Sequence, residues 1–184
     1  WTFTPVLVSP VFGTQVIFDN HWSLSTHGCM ALASFYGAWQ VATKVYFSND
    51  YGKVGTWEEV LDLTELDLGI EHLHVHAVCI DAYTNDFLVT FGDKADASGL
   101  LRSKDFGGTW ERIVNVGQYT TIYALKDYYI LGTDTGVIDQ GVYRVNKQTL
   151  ELENAYKIDG AYIVGTNGRY CATTSYRGPD ANSP

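Results

Sequence analysis

A turn motif that occurs twice constrains the fold of this chain more than any other feature. Residues 48 to 57 read SNDYGKVGTW, and residues 103 to 113 read SKDFGGTWERI. Both place a serine, an aspartate, a glycine, a threonine and a tryptophan in the same order, and the first copy is longer by two residues. Glycine supplies the backbone angles of a tight turn, serine and aspartate accept hydrogen bonds from nearby amides, and tryptophan begins a strand. The pattern predicts a hairpin held by its own side chains, and nothing in it requires catalysis.

The strands around this turn repeat as well. An apolar strand that runs into a small polar loop occurs four times, as CMALASFYGAWQ, DFLVTFGDKADA, YYILGTDTGVID and YCATTSYRGPDA. A short strand and the turn follow the first three, and an apolar segment such as HVHAVCID precedes the strand. Each unit is therefore four short strands in about 40 to 55 residues, which is the size of a propeller blade. A single blade cannot cover both of its faces, so such units stack around an axis.

The motif S-x-D-x-G-x-T-W resembles the Asp-box, or BNR repeat, of sialidase-like β-propellers. The resemblance implies an all-β fold of four-stranded antiparallel blades, in which the box joins the third and fourth strands away from the ligand face. It gives the box residues a structural role. The residues that carry it are Ser48, Asp50, Gly52, Thr56 and Trp57 in the first copy, and Ser103, Asp105, Gly107, Thr109 and Trp110 in the second.

Partial copies extend the repeat towards both ends of the chain. Trp1 matches the last residue of a box, and residues 145–150 match one in which Leu150 takes the place of the tryptophan. About three and a half blades fit into the 184 residues, and propellers close with four to eight. We therefore expect residues 1–184 to form a single, incomplete β-propeller domain of a longer chain. The alternative is a small four-bladed ring in which residues 1–8 pair with the last blade.

Charge and composition narrow the range of partners. The net charge of −9 disfavours nucleic acid and anionic membrane surfaces, because both require clustered lysines and arginines. No apolar run approaches the roughly 18 residues of a spanning helix, so membrane insertion is not expected. Cys29, Cys79 and Cys171 lack the spacing of a zinc site or a disulfide framework. We expect buried thiols and no cofactor.

Candidate ligand contacts follow from the loops at one mouth of the channel, where propellers bind their ligands. Aromatic rings stack on the CH faces of sugars, and carboxylates accept hydrogen bonds from hydroxyl groups. The alternative is that these loop aspartates only make turns. The candidates in these loops are Tyr36, Trp39, Asp93, Asp134 and Arg177.

Three histidines alternate in the segment HLHVH. His72, His74 and His76 fall on one face of a strand because side chains alternate with a period of two. Three interpretations remain open, namely packing between blades, ligand contact at the channel mouth, and metal binding, for which no further ligand follows at a diagnostic spacing. We include His74 and His76 among the ligand-binding candidates and predict no metal.

A glycan is the partner that these features favour. The first hypothesis is a glycan-recognition module, such as a surface or phage-type receptor-binding protein, at the cell exterior or on a virion. The alternative is a glycan-cleaving enzyme, a glycoside hydrolase or polysaccharide lyase, that draws on the histidine strand and the aspartate loops. The third hypothesis is a purely structural propeller that makes contacts with other proteins. Sialidase activity itself is disfavoured, because no Arg-Ile-Pro segment occurs and Arg102, Arg112 and Arg144 are expected on the turn side.

Overall fold

The chain folds into antiparallel β-sheets. The computed structural model describes residues 22–24, 30–34, 43–66, 68, 74–92, 97–133, 139–157, 161–166 and 171–175. They form three four-stranded sheets and one two-stranded sheet, and each four-stranded sheet is a meander in which consecutive strands are hydrogen-bonded neighbours. The expected all-β fold with four-stranded antiparallel sheets is confirmed.

Sheets A to D follow one another along the chain. Sheet A consists of β1 (Trp22–Leu24), β2 (Ala31–Ser34), β3 (Lys44–Ser48) and β4 (Trp57–Asp62). Sheet B consists of β5 (Val75–Ile80), β6 (Phe87–Phe91), β7 (Gly99–Ser103) and β8 (Glu111–Val114). Sheet C consists of β9 (Tyr119–Ala124), β10 (Tyr128–Thr133), β11 (Gly141–Asn146) and β12 (Leu152–Lys157). Sheet D pairs β13 (Ala161–Thr166) with β14 (Cys171–Ser175).

Helical structure is limited to one short turn in the part of the chain that is described. A 3₁₀ turn at Leu63–Glu65 follows β4, and the Asp62 carboxylate caps it by accepting the Thr64 amide at 3.0 Å. None of the described segments forms a helix with the length and apolar character needed to cross a membrane.

The direction of the strands defines two ends of the sheets. Both sequence motifs lie between a third and a fourth strand, β3 and β4 in sheet A and β7 and β8 in sheet B. We call the end with these connections the turn end. The opposite end, where each first strand begins and each second strand leads to the third, we call the entry end.

The sheets pack on one another through their first strands. β5 contacts β1 and β2 of sheet A, β9 contacts β5 and β6 of sheet B, and β13 contacts β9 and β10 of sheet C. Phe87 and Val89 belong to a core shared with sheet A, whereas Leu88 belongs to a core shared with sheet C. Because side chains alternate along a strand, every residue of β6 is buried.

A bulge recurs in each fourth strand. The pairing with the third strand skips Val60 in β4, Ile113 in β8 and Ala155 in β12. A bulged residue has no opposite partner, so its backbone groups are available for other contacts. At Val60 the next sheet uses them, since the Trp110 indole N–H donates to the Val60 carbonyl at 2.9 Å.

The two motif tryptophans differ more than the repeat predicts. Both are half-buried, but their indole N–H groups have different acceptors. The Trp57 indole donates to the Gly52 carbonyl of its own turn at 3.1 Å. Gly107 lies against sheet A, where a Cβ atom would come within 2.5 Å of the Val60 Cβ. The second turn therefore joins two sheets, while the first closes on itself.

Trp110→Phe should destabilise the fold by about 1 to 2 kcal/mol, because it removes the donor to the Val60 carbonyl and keeps most of the ring. Trp57→Phe is the matched control and should cost less than about 1 kcal/mol, since its bond lies within one turn. Urea unfolding of both variants measures the difference. Equal losses would contradict an inter-sheet role for the Trp110 indole.

Sheets B and C are joined by a buried ion pair. The Lys147 ammonium lies 2.5 Å from the Asp81 carboxylate, and their side chains are 9% and 0% exposed. The rings of Tyr83 and Tyr129 lie about the same ammonium, with centroids at 5.1 and 5.0 Å. Leu150, at the tryptophan position of this sheet, has no side-chain donor, and Lys147 supplies a polar link to the preceding sheet from the same turn.

Lys147→Met should lower the free energy of unfolding by about 3 kcal/mol or more, because it leaves the Asp81 charge buried without its partner. Arg144→Met is the control. Its guanidinium pairs with Glu153 at 43% and 52% exposure, so its loss should cost under about 1 kcal/mol. A double-mutant cycle with Asp81→Asn should show strong coupling, and additive losses would contradict the link.

Candidate functional site

The predicted ligand contacts divide into those that the structure describes and those that it does not. Tyr36, Trp39, Asp93, Asp134 and Arg177 lie outside the described residues, as does His72. His74 and His76 are described, and they lie at the entry end of sheet B. These two histidines remain candidate ligand contacts, and they form the centre of the candidate site.

The two imidazoles form a buried pair. His74 and His76 are 8% and 7% exposed, and their ring centroids lie 4.4 Å apart at an interplanar angle of 41°. The His74 carbonyl accepts the Gly92 amide at 3.0 Å, which holds His74 beside the residue that follows β6. The pair therefore lies where β5 begins and β6 ends.

A bulge shapes this pair. The β5–β6 pairing runs from Val75–Phe91 to Ala77–Thr90 and skips His76. Sheet C has a bulge at the same place in β9, where the pairing skips Thr120. Bulges re-aim side chains and are frequent beside functional sites. Because threonine serves at the equivalent bulge, the fold of the unit does not itself require a histidine there.

Arg112 also reaches the entry end. Its Nη2 donates to the Ser98 carbonyl at 2.7 Å and to the Asn115 carbonyl at 3.1 Å. The guanidinium lies over the Phe91 ring, 5.4 Å from its centroid. The expectation that Arg112 belongs to the turn side is wrong, because β8 runs away from the motif and its long side chain extends to the far end. Arg102 and Arg144 do extend from third strands towards the turn end, where they pair with Glu111 and Glu153.

Three buried hydroxyl groups belong to residues near the entry ends of sheets B and C. Thr90, Ser98 and Tyr119 are fully buried at or next to the strand ends of this region, and among the described residues their hydroxyls have no hydrogen-bond partner. Burial raises the pKa of the Tyr119 phenol above its usual value, so it remains a donor at neutral pH. Sequence analysis missed these residues, because a threonine or tyrosine in an apolar strand has no distinguishing spacing.

Metal binding finds no support in the side chains around this pair. Over the described ranges, histidine, cysteine, aspartate and glutamate side chains form no group of three that could hold an ion. The two imidazoles alone offer hydrogen-bond donors and acceptors.

At the turn end, the two motifs share a serine-centred set of hydrogen bonds. The Ser48 hydroxyl accepts the amides of Asp50 at 3.2 Å and Gly52 at 3.1 Å. In the second motif the Ser103 hydroxyl accepts the equivalent amides at 3.4 and 2.8 Å. The backbone takes positive φ at the same two positions of each turn, Tyr51 and Gly52 in one and Phe106 and Gly107 in the other.

The two aspartates have different partners. Asp105 accepts the Thr109 amide at 2.8 Å and the Thr109 hydroxyl at 2.7 Å. Asp50 instead binds the Lys53 ammonium at 2.8 Å, so the expectation that its side chain accepts a backbone amide is wrong. The two additional residues let the Thr56 amide bond to the Lys53 carbonyl, and the Ser48 hydroxyl contacts the Thr56 hydroxyl at 2.6 Å.

A groove of about 410 Å³ lies between β4 and the second motif. Phe106 and four carboxylates line it, but Glu59 and Asp62 already bind Lys44. Asp105 is used by its own turn. Three of the four carboxylates in the groove therefore already have partners within the fold.

Asp105→Asn should reduce stability in a pH-dependent way. Hydrogen bonds from the Thr109 amide, then from the Thr109 and Ser103 hydroxyls, lower the pKa of Asp105. A lowered folded-state pKa stabilises the fold above the unfolded value of about 3.9, and this contribution is lost as pH falls through the folded-state pKa. The difference in Tm between wild type and variant should therefore shrink from about pH 7 to about pH 3. A constant difference over this range would contradict the role of the carboxylate charge.

A comparison of the chain with protein-family models and with curated proteins finds no match.

Proposed function

We propose that the chain is part of an Asp-box β-propeller that recognises a glycan at its entry end. Three features support the propeller. The motifs join third and fourth strands, their serines make equivalent hydrogen bonds, and successive sheets pack through their first strands. Stacking of this kind around an axis leaves the first strands innermost. The entry end of β5 then faces the mouth of the channel.

The buried His74–His76 pair is the observation that carries the glycan proposal. The centroids of the two imidazole rings lie 4.4 Å apart. Burying two imidazoles costs more free energy than burying apolar side chains, because the polar ring nitrogens need hydrogen-bond partners. Imidazole both donates and accepts, which matches the alternating donors and acceptors of sugar hydroxyls. Thr120 at the equivalent position of sheet C supports a role for the histidines beyond the repeat itself.

Recognition is proposed ahead of cleavage. Hydrolysis of a glycoside needs two carboxyl groups that flank the bond. Asp139, a described carboxylate at the entry end, is paired with the Lys157 ammonium at 2.5 Å. In this proposal the protein is a surface or receptor-binding module, and its partner is a glycan.

His76→Thr is the variant that tests the proposal, because it replaces the imidazole by the side chain found at the equivalent bulge of sheet C. The wild-type protein is first screened on a glycan array. The dissociation constant for the best glycan should then rise about tenfold or more in His76→Thr, equivalent to about 1.4 kcal/mol. The Tm should remain within about 3 °C of the wild-type value.

Two outcomes would overturn this function. A wild-type protein that binds no glycan on the array rejects glycan recognition outright. A His76→Thr variant with unchanged affinity and a strongly lowered Tm identifies the pair as packing between sheets. Turnover of a bound glycan would instead favour the glycan-cleaving enzyme, and the same variant would then be assayed for its rate.

A further inference from the structure

We infer that a buried water molecule joins sheets B and C at their entry end, bound by the hydroxyl groups of Thr90, Ser98 and Tyr119. The inference goes beyond the proposed function, because the site lies inside the boundary between two sheets and does not depend on whether the protein binds a glycan. The ligand class follows from where these side chains lie, how deeply they are buried and what they can donate or accept.

The three residues belong to one boundary. Thr90 pairs directly with Leu100, and it lies two residues after Leu88 in β6. Both leucines belong to the core that sheets B and C share, so alternation along the strands places Thr90 on the face towards sheet C. Ser98 lies two residues before Leu100 and takes the same side of sheet B. Tyr119 opens β9 and is itself a member of the shared core, so hydroxyl groups from both sheets enter the boundary at its entry end.

The Tyr119 ring extends from the first strand of sheet C towards the third. Its centroid lies 5.8 Å from that of Tyr143, with the two rings edge to face. Because β10 lies between β9 and β11, the Tyr119 ring covers part of β10. The Tyr143 hydroxyl donates its proton to the Asp139 carbonyl at 2.7 Å, so it cannot also donate to Tyr119. The Tyr119 phenol therefore needs an acceptor from elsewhere in the boundary.

Burial and hydrogen-bonding capacity identify the ligand as water. Thr90, Ser98 and Tyr119 are all 0% exposed, and within the described part of the chain their hydroxyls have no hydrogen-bond partner. A buried hydroxyl without a partner costs free energy, and proteins commonly satisfy such groups with an ordered water that makes about three hydrogen bonds. Hydroxyl groups both donate and accept, which matches the two donors and two acceptors of water. Because all three side chains are enclosed, only a molecule of about this size reaches them.

Tyr119→Phe tests the inference, because it removes one hydroxyl and keeps the ring. If the hydroxyl binds a bridging water, the variant loses a hydrogen bond, and its Tm should fall by about 2 to 4 °C. If the hydroxyl has no partner, its removal relieves a desolvation cost. An unchanged or raised Tm would therefore overturn the inference. Tyr156→Phe is the matched control in the same sheet, since Tyr156 is 61% exposed, and its Tm should stay within about 1 °C of the wild-type value.

Thr90→Val tests whether one water serves both sheets. In a double-mutant cycle with Tyr119→Phe, the second substitution should lower the Tm by less than it does alone, because the shared water is already lost. Additive losses would show separate partners and would overturn the bridge. A high-resolution crystal structure of the wild-type protein should show a water within about 3.2 Å of at least two of the three hydroxyls. Its absence there would reject the site even if a variant fails to fold, and the glycan array has no bearing on either result.

Discussion

Sheet B must cover two apolar faces, and the rest of the structure depends on that requirement. In β6, phenylalanines point to sheet A while leucine points to sheet C, so neither face can be left to water. Burial of apolar area is worth about 25 cal/mol per Å², and it is available to an inner sheet only if neighbours lie on both sides. The contact of first strand with first strand follows from this demand.

The sequence is sufficient to predict the sheets and their turns, because these follow from local chemistry. Alternation and apolar runs indicate strands, and the serine and glycine of each motif specify the turn that joins them. The serine of both motifs performs the same task. The aspartates do not, because Asp50 turns to a nearby lysine. The two inserted residues change the geometry of the first turn, although the serine, aspartate, glycine, threonine and tryptophan of the motif are all present.

The site is less predictable for a different physical reason. The His74–His76 contact depends on a bulge that the sequence does not announce, and the reach of Arg112 depends on the direction of its strand and the length of its side chain. The fully buried hydroxyls of Thr90 and Tyr119 come from strands whose neighbours are apolar. The surroundings of these side chains depend on contacts between segments that are distant in the sequence, whereas the conformation of a turn depends on interactions within a few residues. In a repeating fold, the departures from the repeat are therefore the places where function is most readily sought.

The interfaces on the two sides of sheet B each have an apolar core, but their polar links differ. Towards sheet A the link at the turn end is a neutral indole-to-carbonyl bond among apolar side chains, and towards sheet C it includes a buried lysine–aspartate pair. Apolar contact weakens on cooling, while the desolvation cost of an ion pair falls as temperature rises. Apolar packing weakens on cooling at both boundaries, because each has its own apolar core. The boundary with sheet C also contains the ion pair, so it retains more of its cohesion on warming.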